Sequence, residues 1–477
     1  MAASTGTTPR EGWSSRSAFI LAAIGAAVGL GNVWRFPTLA GENGGGAFVL
    51  VYVAFVFLLG LPLVISEIFL GRTGQDDAVG SIRKVAQRSG VSEAWSGFGI
   101  MGVVAAFLIV SFYSVVAGWV LYYVGVMGAD FVGALAAGDP LRGALPGESQ
   151  EAIQGRMGDL FADPMLLLAM HFAFMGVTLY IVARGIGSGI EAAATVLMPM
   201  FFVLLIGITI YGAFAGDMGE ALAFLFTPDF SKLTSQSLNT ALGQALFSLS
   251  LGVAGLITYG SYIKGSDGLG STSLTIAFAD TGVALIAGMM IFPIVFAVGL
   301  DPAAGPTLVF QTLPFAFQTM PAGSLIGLLF FVLILVAAVT SSISLLEVPT
   351  AWGIGEMGWS RTTSALIFGG SAFLVGIACL LGYNVWADVR PLGFWDLFAD
   401  TDILDTIDGF TGKVMLPLGA FFTAIFVGWR ADRRLVQEMT GLSGSWLALW
   451  RFLIAWLCPL AVGLILVTGL FPAILGS

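Results

Sequence analysis

Gly25-Ala26-Ala27-Val28-Gly29-Leu30-Gly31-Asn32-Val33-Trp34-Arg35-Phe36-Pro37 lies inside the first long apolar segment of the chain, where a membrane-spanning helix would be most regular. Its glycines, asparagine, arginine and proline are poor company for such a helix. In hydrocarbon an unpaired backbone N–H or C=O costs several kcal/mol, so a break at that depth persists only where protein or a ligand satisfies the freed groups. The stretch is therefore read as a binding site.

The rest of the chain places this break in a polytopic membrane protein. Of 477 residues 57% are hydrophobic and only 10% charged, and the mean hydropathy is +0.94, values foreign to a water-soluble domain. Apolar stretches able to cross roughly 30 Å of hydrocarbon lie near 15–38, 47–70, 98–126, 164–183, 193–215, 241–263, 274–299, 323–353, 364–386, 411–429 and 447–473. About eleven spans are expected. Lysine and arginine fall mostly on one side, at Arg10, Arg16, Arg72, Arg83, Lys84, Arg88 and Arg184 and again at Arg430, Arg433, Arg434 and Arg451. That asymmetry predicts a cytoplasmic N-terminus and, with an odd count, a C-terminus outside. The formal charge of −10 comes largely from the opposite loops, around Asp130 to Asp163 and Asp388 to Asp405. It reads as a solvated acidic rim, with cation funnelling as the alternative. No basic patch points to nucleic acid. Cys379 and Cys458 are embedded in apolar segments, so no disulfide is expected, and the absence of a cleavable leader pattern predicts that the first span is retained.

The sixth span repeats the anomaly. Gly243-Gln244-Ala245-Leu246-Phe247-Ser248-Leu249-Ser250-Leu251-Gly252-Val253-Ala254-Gly255 again puts glycines and hydroxyls at mid-membrane. Either run alone is explained by close helix packing. Two at matching places point to an inverted-repeat transporter with a midplane site. The expected fold is all-α, with five-plus-five repeats and helices 1 and 6 unwound at mid-membrane. Its parts are a tail over 1–14 with inner-gate residues, repeats over 15–215 and 216–430, and an eleventh helix with the C-terminus over 431–477.

Gly29-Leu30-Gly31-Asn32-Val33-Trp34-Arg35-Phe36-Pro37, Glu42-Asn43-Gly44-Gly45-Gly46-Ala47-Phe48, Gln244 to Gly252, Ile257 to Tyr262 and Thr340-Ser341-Ser342 resemble the sodium:neurotransmitter symporter family, whose bacterial leucine transporter defines the fold. The likeness runs from about Arg10 to Trp429. It implies one sodium held by carbonyls of Gly25, Val28 and Ala337 with the hydroxyls of Thr340 and Ser341. The i, i+3, i+4 spacing of Ala337, Thr340 and Ser341 independently puts them on one helix face. A second sodium would take the Ala27 carbonyl, Asn32, Ser248 and Asp280. Here the chain departs from the leucine transporter, which resembles it but carries asparagine at Asp280 and threonine at Ser248. A membrane-buried carboxylate calls for a cation, so Asp280 is expected to replace the chloride that animal members use, and chloride independence follows. The alternative is a protonated, hydrogen-bonded Asp280.

The resemblance further implies that a substrate carboxylate meets the N–H groups of Leu30 and Gly31 at a helix N-terminus, with the Tyr113 hydroxyl as third donor. The ammonium would face carbonyls of Ala27, Phe247, Ser248 and Ser250. Ile109, Tyr113, Phe247, Ser250, Val253, Ser341 and Leu345 would line the side-chain pocket, which suits a hydrophobic or aromatic amino acid. Arg35 and Asp408 would close the outer vestibule above a Phe247 lid. Arg10 and Trp13 match an inner latch, whose acidic partner falls at Gly355 with Glu356 adjacent. Gly189 and Pro199 match a motif where span 5 unwinds toward the inner sodium. Glu67 is read as a support for the unwound span 6 rather than a proton carrier, Glu347 as lining the exit path, and His171 as an interface residue.

A sodium-coupled symporter of neutral L-amino acids in the plasma (inner) membrane is thus the leading expectation, with small-molecule amino acid, two sodium ions and lipid as its partners. A sensor on the same scaffold, or a symporter of another amino-bearing solute, are the alternatives. An intramembrane hydrolase lacks a nucleophile–base pair or metal-ligand spacing, so no enzyme is expected.

Overall fold

The computed structural model describes residues 11–264, 268–303, 305 and 308–471, and every regular element among them is helical. Nine helices there are long and apolar enough to cross a bilayer: Gly46–Gly74, Glu93–Ala136, Pro164–Ala183, Ile186–Ala215, Leu269–Ala297, Gly323–Met357, Arg361–Leu381, Ile403–Arg430 and Gly444–Leu470. Arg16–Ala27 and Gly31–Glu42 form a tenth span bent by 49°. The interrupted pair Ser235–Ser248 and Gly255–Gly260 supplies the eleventh, so spans 1 to 11 follow in chain order with spans 1 and 6 broken. Span 10 begins at Ile403, a full two turns before the apolar run at 411, because Asp402 caps it by accepting from the Asp405 amide at 2.8 Å.

Spans 3 and 8 form the centre: 72% and 78% of their most apolar windows are buried, against 28% for spans 5 and 11, which present their apolar faces outward. Small residues allow the close approaches. Gly71 in span 2 sits against the Ile257 carbonyl of span 6, where a Cβ would lie 1.9 Å from that oxygen. Span 2 thereby braces the second half of span 6.

The reading of one single residue changes. His171 is not at the interface: it is fully buried in span 4, stacked on Phe373 of span 9 at 4.6 Å, with Nε2 3.1 Å from the Phe373 carbonyl. Span 4 begins at Pro164, as its apolar run does, and is capped by Asp163. Span 5 is wound through both Gly189 and Pro199, as a wide turn over Ile186–Glu191 followed by the helix Ala192–Ala215. The rim acids are partly paired, Asp130 with Arg142 at 2.8 Å and Glu148 with Arg156.

At the face that carries the N-terminal segment, Asp77 caps the helix Ala78–Arg88, its Oδ1 accepting from the amides of Val79 and Gly80 at 2.9 and 3.2 Å. Its Oδ2 is buried without a hydrogen bond. Burial pushes the carboxyl up to about 6, with Asp76 and Glu356 adding repulsion. The folded protein therefore binds a proton between about pH 4 and 6 that the unfolded chain, near 3.8 at this group, releases. Stability from this group falls as pH rises through that window. Asp77→Asn keeps the cap and removes the fall. The variant is expected to exceed the parent at pH 7.5 by about 2 to 3 kcal/mol, read as a higher melting temperature and a flatter profile from pH 4 to 7; parallel profiles would contradict it.

Candidate functional site

Span 1 stops being helical at Val28, whose backbone is extended while its N–H still bonds the Ile24 carbonyl at 2.6 Å. In an unbroken helix the carbonyls of Gly25 and Ala26 would accept from the amides of Gly29 and Leu30. Those amides turn elsewhere, Gly29 to Asn32 Oδ1 at 3.2 Å and Leu30 to the Tyr113 hydroxyl at 3.3 Å. The freed carbonyls find hydroxyls instead. Ser341 Oγ lies 3.3 Å from the Gly25 oxygen and 3.2 Å from that of Val28, and Ser250 Oγ donates to Ala26 at 3.0 Å. Thr340 Oγ1 reaches the Ala337 carbonyl at 3.0 Å. Gly25, Val28, Ala337, Thr340 and Ser341 thus bring hard oxygens from spans 1 and 8 to one place.

Span 6 breaks over Leu249 to Ala254, with positive φ at Ser250, Gly252 and Ala254. Gly252 is irreplaceable on two counts, a φ of +81° and a Cβ position 2.3 Å from the Leu416 carbonyl. Its N–H, which would otherwise bond Ser248, donates to Glu67 Oε1 at 2.8 Å. Glu67 is fully buried in span 2, and this bond is what it offers the break.

Between the two breaks lies a polar knot. Asn32 Nδ2 donates to Asp280 Oδ1 at 2.8 Å, to the Asp280 carbonyl at 3.1 Å and to Ser248 Oγ at 3.0 Å; Ser248 Oγ donates to Asp280 Oδ2 at 2.7 Å. Tyr52 Oη lies 3.2 Å from Ser248 Oγ, and Gln244 Nε2 donates to the Gly31 carbonyl at 2.8 Å. All are buried, and no arginine or lysine pairs with Asp280 among the described residues. A carboxylate so placed, ringed by hydroxyl and carbonyl oxygens, fits a hard monovalent or divalent cation as the compensating charge. The same residues hold no transition-metal cluster: among those described, no three His, Cys, Asp or Glu side chains converge.

Beside the knot a small cavity of about 30 Å³ is lined by Ala27, Leu30, Gly31, Ile109, Tyr113, Phe247, Ser250, Val253, Ser341 and Leu345. Ala26, Gly29 and Leu416 also line it, and Leu416 is the wall that sequence reading missed; nothing distinguishes it from other apolar residues of span 10. Tyr52 was missed for the same reason. The Phe247 carbonyl already accepts from the Ser250 amide at 3.0 Å, so it is the least available of the four carbonyls expected to face an ammonium.

Phe247 separates this cavity from a larger one of about 440 Å³, lined by Arg35, Asp405, Asp408 and several aromatic residues. The Arg35 guanidinium stands over the Phe247 ring, 4.5 Å from its centre, and makes no ion pair with Asp408 within 4 Å.

The opposite end is sealed. Trp13 Nε1 donates to the Tyr259 carbonyl at 2.9 Å, and its ring packs on Tyr259 and Tyr262. Arg361 bridges Glu347 at 2.7 Å and Glu11 at 3.0 Å, and Tyr262 Oη donates to Glu347 at 2.6 Å. Arg10 lies outside the described residues. Glu356, its suggested partner, pairs with Arg83 at 2.7 Å. Glu347 is therefore part of the seal rather than an open path, and Glu11 and Arg361 were not anticipated.

A family model described as the sodium:neurotransmitter symporter family matches residues 10–129 and 157–473. The chain is 38% identical over 461 residues to YhdH, an uncharacterized sodium-dependent transporter of Bacillus subtilis, covering 94% of this chain and 95% of that one. It is 34% identical to an uncharacterized sodium-dependent transporter of Haemophilus influenzae, over 98% and 100% of the two chains. Among solved structures, the crystal structure of MhsT in complex with L-phenylalanine matches with a TM-score of 0.85 and 40% identity, over 96% of this chain and 100% of that one.

The buried pair at Arg361 generates a test. Removing one partner of such a pair costs about 3 to 5 kcal/mol because the other charge stays buried. Arg361→Ala is expected to raise severalfold the reactivity toward a polar maleimide of a Ser344→Cys reporter, a buried position on span 8 between Ser341 and Glu347, and adding Glu347→Gln to reduce it again. Both native cysteines are buried, so background labelling is low. Unchanged reactivity in Arg361→Ala would show that the seal lies elsewhere.

Proposed function

The chain belongs to the sodium:neurotransmitter symporter family and is a multi-pass, sodium-dependent membrane transporter, and we propose that its cargo is a neutral L-amino acid with an apolar or aromatic side chain, moved inward with two sodium ions and without chloride. The observation that carries this reading is the convergence, at one small cavity, of backbone groups freed by both broken spans. The amides of Leu30 and Gly31 and the Tyr113 hydroxyl receive the carboxylate. Carbonyls of Ala27, Ser248 and Ser250 face the ammonium, with Phe247 the weaker fourth. Ile109, Val253 and Leu345 give the side chain apolar walls, and the phenylalanine bound to MhsT supports an aromatic candidate.

In this reading one sodium takes the oxygens of Gly25, Val28, Ala337, Thr340 and Ser341. The other takes those of Ala27, Asn32, Ser248 and Asp280, and the Asp280 carboxylate supplies the negative charge that a bound chloride would otherwise bring. The face bearing the N-terminal segment is cytoplasmic, where the arginine excess puts it, and the C-terminus is outside. Arg35, Phe247 and Asp408 form the outer gate; Trp13, Arg10 and the Glu347–Arg361 seal form the inner one. Spans 1–5 and 6–10 act as the two repeats, and rocking of one bundle against the other alternates access. Two sodium ions then contribute about 4.6 kcal/mol per 100 mV of membrane potential.

Binding of labelled L-phenylalanine to the purified protein is expected to require sodium and to be indifferent to replacing chloride by gluconate. Asp280→Asn is expected to lose at least about tenfold in sodium affinity in gluconate and to recover part of it in chloride, since a buried charge is worth roughly 2.5 to 3.5 kcal/mol. Chloride-dependent binding by the parent would contradict the assignment of Asp280. Sodium-dependent binding of other amino acids, but not of phenylalanine, would relocate the specificity.

A further inference from the structure

A third cavity, of about 410 Å³, opens between the start of span 3 and span 10 and shares no lining residue with the other two. Ser92, Ala94, Trp95, Gly97, Phe98, Met101 and Phe422 line it, and Phe426 packs at its back, 5.4 Å from Trp95 and 5.8 Å from Phe98. Its volume lies in the range of small-molecule sites, about 300–1,000 Å³. Apart from Ser92 at its mouth, the walls are apolar and belong to membrane spans. Phe422 stands eight residues before Arg430, about 12 Å along the helix at 1.5 Å per residue, so the crevice runs from the membrane surface into the hydrocarbon. An occupant at that depth must itself be apolar.

The rim is the opposite. Arg430 ends span 10, and Arg433 and Arg434 open the helix Arg433–Thr440, all three exposed. The Asp432 amide donates to Ser89 Oγ at 2.9 Å, which sets this helix beside the turn carrying Arg88 and leading to Ser92. None of these four arginines makes an ion pair among the described residues. Of the nearby acids, Asp432 accepts from the Arg434 and Leu435 amides and Glu93 accepts from Gln87, while Glu438 follows Arg434 by one turn and forms no ion pair with it. In a chain whose formal charge is −10, four arginines without an ion pair, clustered above an apolar slot, suit an anion attached to a hydrocarbon tail. Trp95, half-buried at the junction, is the residue type that settles at the headgroup level.

We propose that this crevice is a binding site for an anionic phospholipid of the leaflet on that face, its acyl chain between spans 3 and 10 and its phosphate among Arg88, Arg430, Arg433 and Arg434. Basic pockets between spans are suited to such headgroups, and each arginine near the surface adds to the attraction. The site is independent of the transport cycle proposed above.

The test is native mass spectrometry of the full-length purified protein with phosphatidylglycerol or phosphatidylcholine of the same acyl chains. One phosphatidylglycerol is expected to be retained in preference to phosphatidylcholine. Two variants separate headgroup from slot. Arg430→Gln with Arg433→Gln and Arg434→Gln removes exposed charges, and Gly97→Phe fills the crevice, since a side chain at Gly97 meets nothing within 4 Å. Each is expected to weaken phosphatidylglycerol retention by about tenfold or more, and the arginine variant to leave phosphatidylcholine unaffected. Equal retention of the two lipids by the parent overturns the proposal. So does full retention in Gly97→Phe, which would mean diffuse charge attraction, and so does displacement by soluble glycerol phosphate at the lipid's own concentration, which would mean an anion site without a lipid. Size-exclusion profiles show that each variant is folded, and Gly97→Phe is the one that decides between slot and diffuse charge.

Discussion

Everything in this molecule depends on what becomes of the backbone groups that spans 1 and 6 release at mid-membrane. A soluble protein would hydrate them; hydrocarbon offers nothing. Their partners are drawn from four other places: Tyr113 on span 3, Ser341 on span 8, Glu67 on span 2, and the side chain of Asn32 within the break itself. The two breaks also satisfy each other, through Ser250 to Ala26 and Gln244 to Gly31. Satisfying the backbone and assembling a ligand site are the same act here, because each hydroxyl that meets a stray carbonyl leaves an oxygen turned toward the cavity.

That arrangement explains why the ends differ. Above the site the closure is a single aromatic ring under an arginine, with a large cavity beyond it. Below, it is a buried tryptophan and a four-residue polar seal of Glu11, Glu347, Arg361 and Tyr262. The structure is closed on the N-terminal face and separated from the other face by one side chain. A ring that rotates about its side-chain bonds is a cheaper barrier to move than a buried ion pair, which orders the two openings in energy.

The breaks were legible because glycine, asparagine and proline inside an apolar run have no bland explanation at two matching places, and Asp280 because a carboxylate there needs a cation. Glu67 was singled out as a mid-membrane acid expected to meet unwound backbone, and its carboxyl accepts from the Gly252 amide. The residues that escaped carry no such signal: Leu416 and Tyr52 look like any apolar or aromatic residue, and Glu11 is one acid in a polar tail. His171 misled because a histidine beside Phe172 looks like an interface residue, whereas it lies well inside the helix that begins at Pro164 and is buried against Phe373. Gly189 and Pro199 were singled out because a glycine and a proline in span 5 resemble a family motif; sequence says nothing of which state is populated, and here the helix is wound.

The central claim is that the cavity between two broken spans couples sodium to an amino acid. The most direct measurement is accumulation of labelled phenylalanine, leucine and tyrosine by proteoliposomes holding the purified protein, under an inward sodium or an inward potassium gradient. Concentrative uptake of at least one of them, with sodium only, is the predicted result. Uptake that never exceeds equilibration, or that proceeds equally with potassium, would contradict the account.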